Sequence, residues 1–103
     1  MARKYLEDKG FKFLCSNYLV PKVGELDIVM KQGDVCVFIE VKTRKSLAYG
    51  SPMASISTNK IRGLKLTGLT YIRANGLATK QLRFDVVSIC LNPLSITHFE
   101  NAF

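Results

Sequence analysis

Residues 25–43 read ELDIVMKQGDVCVFIEVKT, and this stretch decides the fold. Two runs rich in apolar and β-branched residues, 25–32 and 35–43, lie on either side of Gly33-Asp34. A two-residue loop that begins with Gly is typical of a tight β-hairpin. We therefore predict two antiparallel strands that are joined at this loop.

The turn also predicts the register of the hairpin. If Gln32 faces Val35, the residue numbers of opposed pairs sum to a constant along both strands. Side chains alternate between the two faces of a strand, so one face then carries only apolar pairs, which are Leu26 with Val41, Ile28 with Ile39, and Met30 with Val37. This face is expected to be wholly apolar.

The open end of the hairpin, away from the turn, carries charges on its second face. Asp27 lies opposite Glu40, and Glu25 lies opposite Lys42, with Cβ atoms about 4.5–5.5 Å apart. Opposed carboxylates repel each other unless a cation neutralises them, and Mg²⁺ or Mn²⁺ takes oxygen ligands of this kind. We predict a Mg²⁺ (or Mn²⁺) site formed by Asp27, Glu40 and the backbone carbonyl of Val41.

Asp27, Glu40 and Lys42 are the predicted catalytic residues. Lys42 can hold, or help to deprotonate, a water molecule that attacks a phosphodiester while the metal stabilises the developing charge. Glu25 is a candidate additional site residue, although a cross-strand ion pair with Lys42 explains its position more simply. The predicted reaction is metal-assisted phosphodiester hydrolysis.

The rest of the chain supplies three further strands and two helices. We predict helices over 2–9 and 58–75, and strands over 11–19, 83–91 and 95–99. The chain between the hairpin and strand 83–91 is long enough for a right-handed crossover that carries a helix, so this strand should lie parallel to strand 35–43. The prediction is a single α/β domain, residues 1–103, with a mixed five-stranded sheet flanked by helices.

Several positions put this assignment to the test. Gly63 and Gly68 fall inside the second helix, where each costs about 1 kcal/mol relative to Ala. Asp85 falls in a strand that should be central, where a buried carboxylate needs a partner. His98 is interpreted as structural, and Ser51-Pro52, in the loop over 44–57, is expected to start a helical turn.

The basic residues are unevenly distributed. The chain has 15 Lys and Arg against 8 Asp and Glu, a net charge of +7, and no acidic residue lies between Val41 and Phe84. Such a charge favours a polyanionic partner, so we expect nucleic acid, DNA in the first instance; a basic face that is merely solvated is the alternative. The candidate nucleic-acid-binding residues are Arg44, Lys45, Lys60 and Arg62.

The sequence gives no sign of a membrane segment or of secretion. No apolar stretch approaches the roughly 20 residues of a transmembrane helix, and no leader pattern opens the chain, so we expect a cytoplasmic protein. Cys15, Cys36 and Cys90 lack the spacing of a metal or redox motif and are interpreted as reduced core residues. The sequence does not determine the oligomeric state, and a homodimer is compatible with it.

The Asp27 carboxylate, followed across the hairpin by Glu40-Val41-Lys42, resembles the core motif of PD-(D/E)XK nucleases. The resemblance to one family, YraN, covers nearly the whole chain and is carried by GELDIV (24–29), FIEVKTR (38–44), GSP (50–52), Lys60, RFDVV (83–87) and HFENAF (98–103). It implies a restriction-endonuclease-like fold similar to that of archaeal Holliday-junction resolvases. It also implies that Asp27, Glu40 and Lys42 lie at the family's candidate active-site positions.

One departure from the family's pattern concerns the first helix. Residues 2–6, ARKYL, resemble the middle of that helix. Its usual start includes a Gly-Glu pair that supplies another active-site acid, and we expect that part to precede Met1. A site without this acid is expected to be weak or inactive.

Two functions of different classes follow from these observations. The first is a Mg²⁺-dependent endonuclease that acts on structured or branched DNA. The alternative is a non-catalytic nucleic-acid-binding or adaptor domain that retains the nuclease fold. A third, a small protein-interaction domain, would show no salt-dependent affinity for nucleic acid.

Overall fold

The computed structural model describes residues 1–45, 56–77 and 81–103. Within these ranges the chain forms two helices and five strands, which are α1 (Ala2–Asp8), β1 (Lys12–Val20), β2 (Gly24–Gln32), β3 (Val35–Arg44), α2 (Thr58–Ala74), β4 (Leu82–Leu91) and β5 (Leu94–Phe99). Every predicted element is present, with bounds that differ by no more than one residue at either end. The helical turn predicted at Ser51-Pro52 lies outside the described residues.

The five strands form one mixed sheet in the order β1-β2-β3-β4-β5. The pair β3–β4 is parallel, and the other neighbouring pairs are antiparallel. Helix α2 lies in the connection between the two parallel strands, as the length of that connection predicts. The α/β class and the mixed five-stranded sheet are therefore confirmed.

The hairpin has the predicted register near its turn but not at its open end. Ile28 faces Ile39 and Met30 faces Val37, and the pairing of β2 with β3 ends at the first of these pairs. Beyond it, the Val41 N–H group donates to Asp27 Oδ2 at 2.8 Å. Because a side chain has replaced the backbone of β2 as the partner of Val41, the predicted pairing of Leu26 with Val41 is wrong.

The sheet is covered on both faces, and each face has its own hydrophobic cluster. On the α1 side the buried members are Ala2, Leu6, Phe11, Ile28, Met30, Val37, Ile39, Val87 and Ile89. On the α2 side they are Leu26, Val29, Cys36, Phe38, Leu64, Tyr71 and Phe84. The alternation along β3 and β4 produces this division, while Leu26 lies on the α2 side instead of the predicted face.

Two glycines let α2 approach the start of β2 closely. A Cβ atom on Gly63 would lie 2.5 Å from the backbone oxygen of Val23, and one on Gly24 would lie 2.8 Å from Thr67 Oγ1. Gly68 similarly packs against the rings of Phe38 and Phe84, where a Cβ atom would lie 3.0 Å from each. Tertiary packing therefore outweighs the low helix propensity of glycine.

Cys36 and Cys90 are buried, Cys15 is partly buried, and all three cysteines are free. No helix in the described part of the chain is long and apolar enough to cross a membrane.

Asp85 lies on the α1 side of β4 with no exposed surface. Arg83 donates to both of its carboxylate oxygens, Nε to Oδ1 and Nη2 to Oδ2, each at 2.9 Å. His98 Nε2 lies 2.7 Å from Oδ2, and the Asn101 N–H group donates to Oδ1 at 2.9 Å. On the other side of the ring, Lys9 Nζ lies 2.7 Å from His98 Nδ1. These groups are the partners that a buried carboxylate at Asp85 was expected to need. His98 has a structural role among them.

Substitution of Gly63 by Ala tests the close approach of α2 to the sheet. Helix propensity alone predicts a gain of about 1 kcal/mol. We expect instead a loss of about 1–3 kcal/mol, because the new methyl group would collide with a backbone oxygen that has little freedom to move. Urea denaturation followed by circular dichroism measures the change, with Thr70→Ala on the exposed face of α2 as the control. A Gly63→Ala variant more stable than the wild type would contradict the packing.

Substitution of Asp85 by Asn tests the network on the α1 side. The change leaves the Arg83 guanidinium beside a neutral amide, and we expect a loss of about 3 kcal/mol in the free energy of unfolding. Joint replacement of Arg83 by Met and Asp85 by Leu should cost clearly less than the sum of the two single replacements. Urea denaturation at pH 7 measures the wild type and the four variants, and additive losses would contradict a shared network.

Candidate active site

The predicted carboxylate pair lies on the α2 side of the sheet. Glu40 follows Phe38 on the same face of β3, and only 4% of its side-chain surface is exposed. Asp27 is half-buried on β2 and is held by the N–H group of Val41. The two carboxyl groups are close enough to hydrogen bond and to repel each other. The structure therefore brings the two predicted acids close together, although the backbone pairing of β2 with β3 ends before it reaches them and the predicted direct opposition of Asp27 and Glu40 is absent from the register.

The environment of Glu40 favours its protonated form. Burial, and after it the contact with Asp27, raise the pKa of this carboxyl to about 7, although Lys60 acts in the opposite direction. The burial comes from an apolar wall that Phe38, Phe84 and Phe103 contribute beside Glu40. A carboxylate at this position is stable only with a positive charge beside it.

Lys60 provides a positive charge from the first turn of α2. Ser57 caps this helix, and its hydroxyl accepts a hydrogen bond from the Lys60 N–H group at 3.1 Å. Lys60 Nζ lies 2.7 Å from Glu40 Oε2, and 46% of the lysine side chain is exposed. Glu40 raises the pKa of the Lys60 ammonium above its usual value, against burial, which lowers it.

The contact between Lys60 and Glu40 is an ion pair without hydrogen-bond geometry. The distance meets the criterion for an ion pair. Glu40 Oε2 is nevertheless fully buried, and within residues 1–45, 56–77 and 81–103 it accepts no well-formed hydrogen bond. Such atoms are uncommon in folded proteins and call for an explanation.

Asp27, Glu40 and Lys60 face a cleft of about 170 Å³. Glu25 lies on its rim, where it is exposed. At about 30 Å³ for each water molecule, the cleft has room for roughly five waters, or for a hydrated cation.

The remaining predicted site residues lie around this cleft or close to it. Lys42 is partly buried two residues beyond Glu40 on β3, and it is near enough to act on the ammonium of Lys60. The predicted ion pair between Glu25 and Lys42 is absent from the described residues, because the strands no longer pair at the open end of the hairpin. The observed contact of Val41 is through its N–H group, and a role for its carbonyl stays a prediction.

The predicted nucleic-acid-binding residues are found at the end of β3 and the start of α2. Arg44 is the last residue of β3 and is half-buried, and Lys45 follows it in an exposed position. Lys60 and Arg62 are exposed on the first turns of α2. Their part in binding nucleic acid stays a prediction.

The carboxylate pair fits a hydrated Mg²⁺ better than a metal ion enclosed by protein ligands. Within residues 1–45, 56–77 and 81–103 there is no group of three or more His, Cys, Asp or Glu side chains that could hold a metal ion. Mg²⁺ is usually bound through one or two carboxylates together with waters and substrate phosphates. Asp27 and Glu40, with the buried Oε2 of Glu40, match that smaller requirement.

Sequence reasoning missed the ion pair of Lys60 with Glu40. Lys60 was predicted only as a contact to phosphate, since nothing in local spacing relates it to residue 40. The sequence pointed to this contact only indirectly, through two features of α2. The Ser57 cap places Lys60 in the first turn, and Gly63 one turn later permits close docking of the helix.

Substitution of Glu40 by Gln tests the burial of its charge. The carboxyl ionises near its ordinary value of 4.5 in the unfolded chain and near 7 in the folded protein, so the folded state loses stability as the pH rises through this interval. Gln resembles the protonated acid. At pH 8 we expect Glu40→Gln to be more stable by on the order of 1 kcal/mol, or roughly 5 °C in Tm.

The same comparison at pH 4 provides the internal control, because this pH lies below both pKa values, so Glu40 is largely protonated in the folded and the unfolded chain and the two proteins should differ little in stability. Glu25→Gln, which removes an exposed carboxylate from β2, should not reproduce the effect at pH 8. Differential scanning calorimetry measures all three proteins. A Glu40→Gln protein that is less stable at pH 8 would contradict the burial of a charge at this position.

Comparison with known proteins places the chain in a family. Residues 1–89 match the model of the uncharacterised protein family UPF0102. A UPF0102 protein of Sulfurihydrogenibium sp. (strain YO3AOP1) is 44% identical over 99% of this chain and 86% of its own length. One of Clostridioides difficile (strain 630) is 39% identical over 100% of this chain and 90% of its own length. The chain belongs to the UPF0102 family, which is the YraN family that its motifs resemble.

Proposed function

We propose that this protein is a divalent-cation-dependent nuclease with a restriction-endonuclease-like fold, which hydrolyses phosphodiester bonds in nucleic acid. The observation that carries the proposal is the buried Glu40 carboxylate, which lies close to Asp27 in an open cleft and has an oxygen that accepts no well-formed hydrogen bond from the described residues. A purely structural carboxylate is normally satisfied by its neighbours, as Asp85 is in the same sheet.

The topology supports the same interpretation. A hairpin whose second strand continues through a helical crossover into a parallel neighbour is the arrangement that the family resemblance implies. It brings the acids of β2 and β3 to the open end of the hairpin, close to the first turn of α2. Because one fold supports many activities, the topology alone does not identify the function, which depends on the residues of the site.

Asp27 and Glu40 are the proposed ligands of Mg²⁺ or Mn²⁺. When bound, the cation would stabilise the negative charge that develops on the phosphate during hydrolysis. The N–H group of Val41 orients the Asp27 carboxylate, and burial in the sheet fixes that of Glu40. Both oxygen donors are thus positioned before substrate arrives, which lowers the cost of organising the site.

Lys42 is the proposed partner of the attacking water. It follows Glu40 by two residues and therefore projects from the same face of β3. Its amine can hold a water molecule beside the carboxylate pair and accept the proton that this water loses as it attacks the phosphodiester. The cleft accommodates a phosphate group and its waters, so the chemistry is directed at the backbone of the nucleic acid.

The substrate is proposed to be DNA held through its phosphates. Arg44, Lys45, Lys60 and Arg62 give the end of β3 and the start of α2 a positive charge. Contacts of this kind fix the position of a backbone and do not read its sequence. A preference for branched or otherwise structured DNA is accordingly more compatible with the site than recognition of a sequence.

A non-catalytic nucleic-acid-binding or adaptor domain is the second candidate. The ion pair of Lys60 with Glu40 favours it, because an internal ammonium neutralises the buried carboxylate without any metal. The two candidates predict the same affinity for DNA and differ in cleavage.

Cleavage of a fluorescent four-way DNA junction separates the two candidates. We expect the wild type to cut it with Mg²⁺ or Mn²⁺, and Glu40→Gln and Asp27→Asn to lose at least 100-fold in rate. Binding in EDTA should stay within threefold for both variants and should weaken at least tenfold between 50 and 200 mM salt. Lys65→Gln, on an exposed part of α2 away from the cleft, serves as the control variant.

Retained DNA binding without cleavage by the wild type in either cation would contradict the nuclease and support the binding domain. Cleavage that survives both carboxylate substitutions would place the activity elsewhere.

A further inference from the structure

Lys60 supplies the positive charge that the Asp27–Glu40 pair faces in this structure. Its ammonium lies 2.7 Å from Glu40 Oε2, and both Glu40 and Asp27 raise its pKa. The ammonium therefore lies where a cation bound to this pair would be needed.

The two partners differ in their freedom to move. The Glu40 side chain is 4% exposed and is enclosed by the sheet, whereas that of Lys60 is 46% exposed at the edge of the cleft. The backbone of Lys60 is fixed by the Ser57 cap and by the docking of α2 at Gly63. Only its flexible stem can move, and this is sufficient to swing the ammonium away from the carboxylate.

The ammonium and a divalent cation would compete for Glu40 Oε2. A cation such as Mg²⁺ binds carboxylate oxygens at about 2.0–2.1 Å. An ammonium that stayed at 2.7 Å from the same oxygen would lie only a few ångströms from the metal, where two positive charges repel strongly in a partly buried site. Binding of one therefore weakens binding of the other and favours its displacement.

We propose that Lys60 is a built-in counter-ion that competes with the divalent cation for Glu40, and that metal binding releases its ammonium to contact a substrate phosphate. The inference rests on the metal site of the proposed function. It assigns Lys60 two successive partners, the carboxylate before the metal binds and the phosphate afterwards.

Calorimetric titration of Mn²⁺ alone into four proteins tests this competition. Lys60→Gln removes the ammonium, Lys60→Arg retains a positive charge, and Lys65→Gln removes a similar exposed charge from the same helix. We expect Lys60→Gln to bind Mn²⁺ about three- to tenfold more tightly than the wild type, the range that one partly exposed ion pair accounts for. The other two variants should stay within twofold of the wild type. Circular dichroism verifies that all four proteins are folded.

Equal or weaker Mn²⁺ binding by Lys60→Gln would overturn the competition while leaving the metal site in place. An equal gain in Lys65→Gln would overturn it as well, because the gain would then reflect net charge only. Absence of Mn²⁺ binding by all four proteins would contradict the metal site itself, and the inference would fall with it.

Discussion

Glu40 is almost completely buried in the face of a β-sheet, and a carboxylate in that position has to receive either a proton or a positive charge. Asp27, on the neighbouring strand, makes this requirement stronger because it adds a second negative group. Much of the α2 side can be understood from this constraint. The Ser57 cap and the close approach at Gly63 hold the start of α2 over the pair, and the ammonium of Lys60 reaches Glu40 from there.

The same sheet contains a second buried carboxylate, and the contrast between the two is informative. Asp85, on the α1 side, accepts hydrogen bonds from Arg83, Asn101 and His98 and connects the C-terminal residues to β4. Its hydrogen-bonding capacity is used within the protein, so we regard this group as part of the scaffold. Glu40 faces a cleft, and one of its oxygens is incompletely satisfied. Of the two acids, Glu40 is therefore the one suited to an external ligand.

Much of the scaffold could be predicted from sequence because it depends on local patterns. The Gly33-Asp34 turn fixes the register of the hairpin as far as Ile28 and Ile39, and the length of the crossover determines that β4 is parallel to β3. The pairing of Leu26 with Val41 was wrong because the Asp27 side chain takes the place of a backbone partner. A periodic pattern contains no information about such a replacement.

The proximity of the two carboxylates was also predictable, since Asp27 and Glu40 are the direct neighbours of Ile28 and Ile39, the last paired residues of the hairpin. The position of Lys60 was not, because it depends on how α2 docks against β2, and that contact joins segments distant in sequence. The partners of Asp85 were likewise hidden, since they come from β4, β5 and the residues that follow.

The central physical property is that burial and Asp27 hold the pKa of Glu40 above its ordinary value, so that a cation bound beside it must lower that pKa. Carbon-detected NMR titration of the Glu40 side-chain carboxyl, with and without Mg²⁺, measures this property directly. The account predicts a pKa of about 7 without the metal and a clearly lower pKa in its presence. An identical pKa under both conditions would show that the carboxyl binds no Mg²⁺ and would contradict the account.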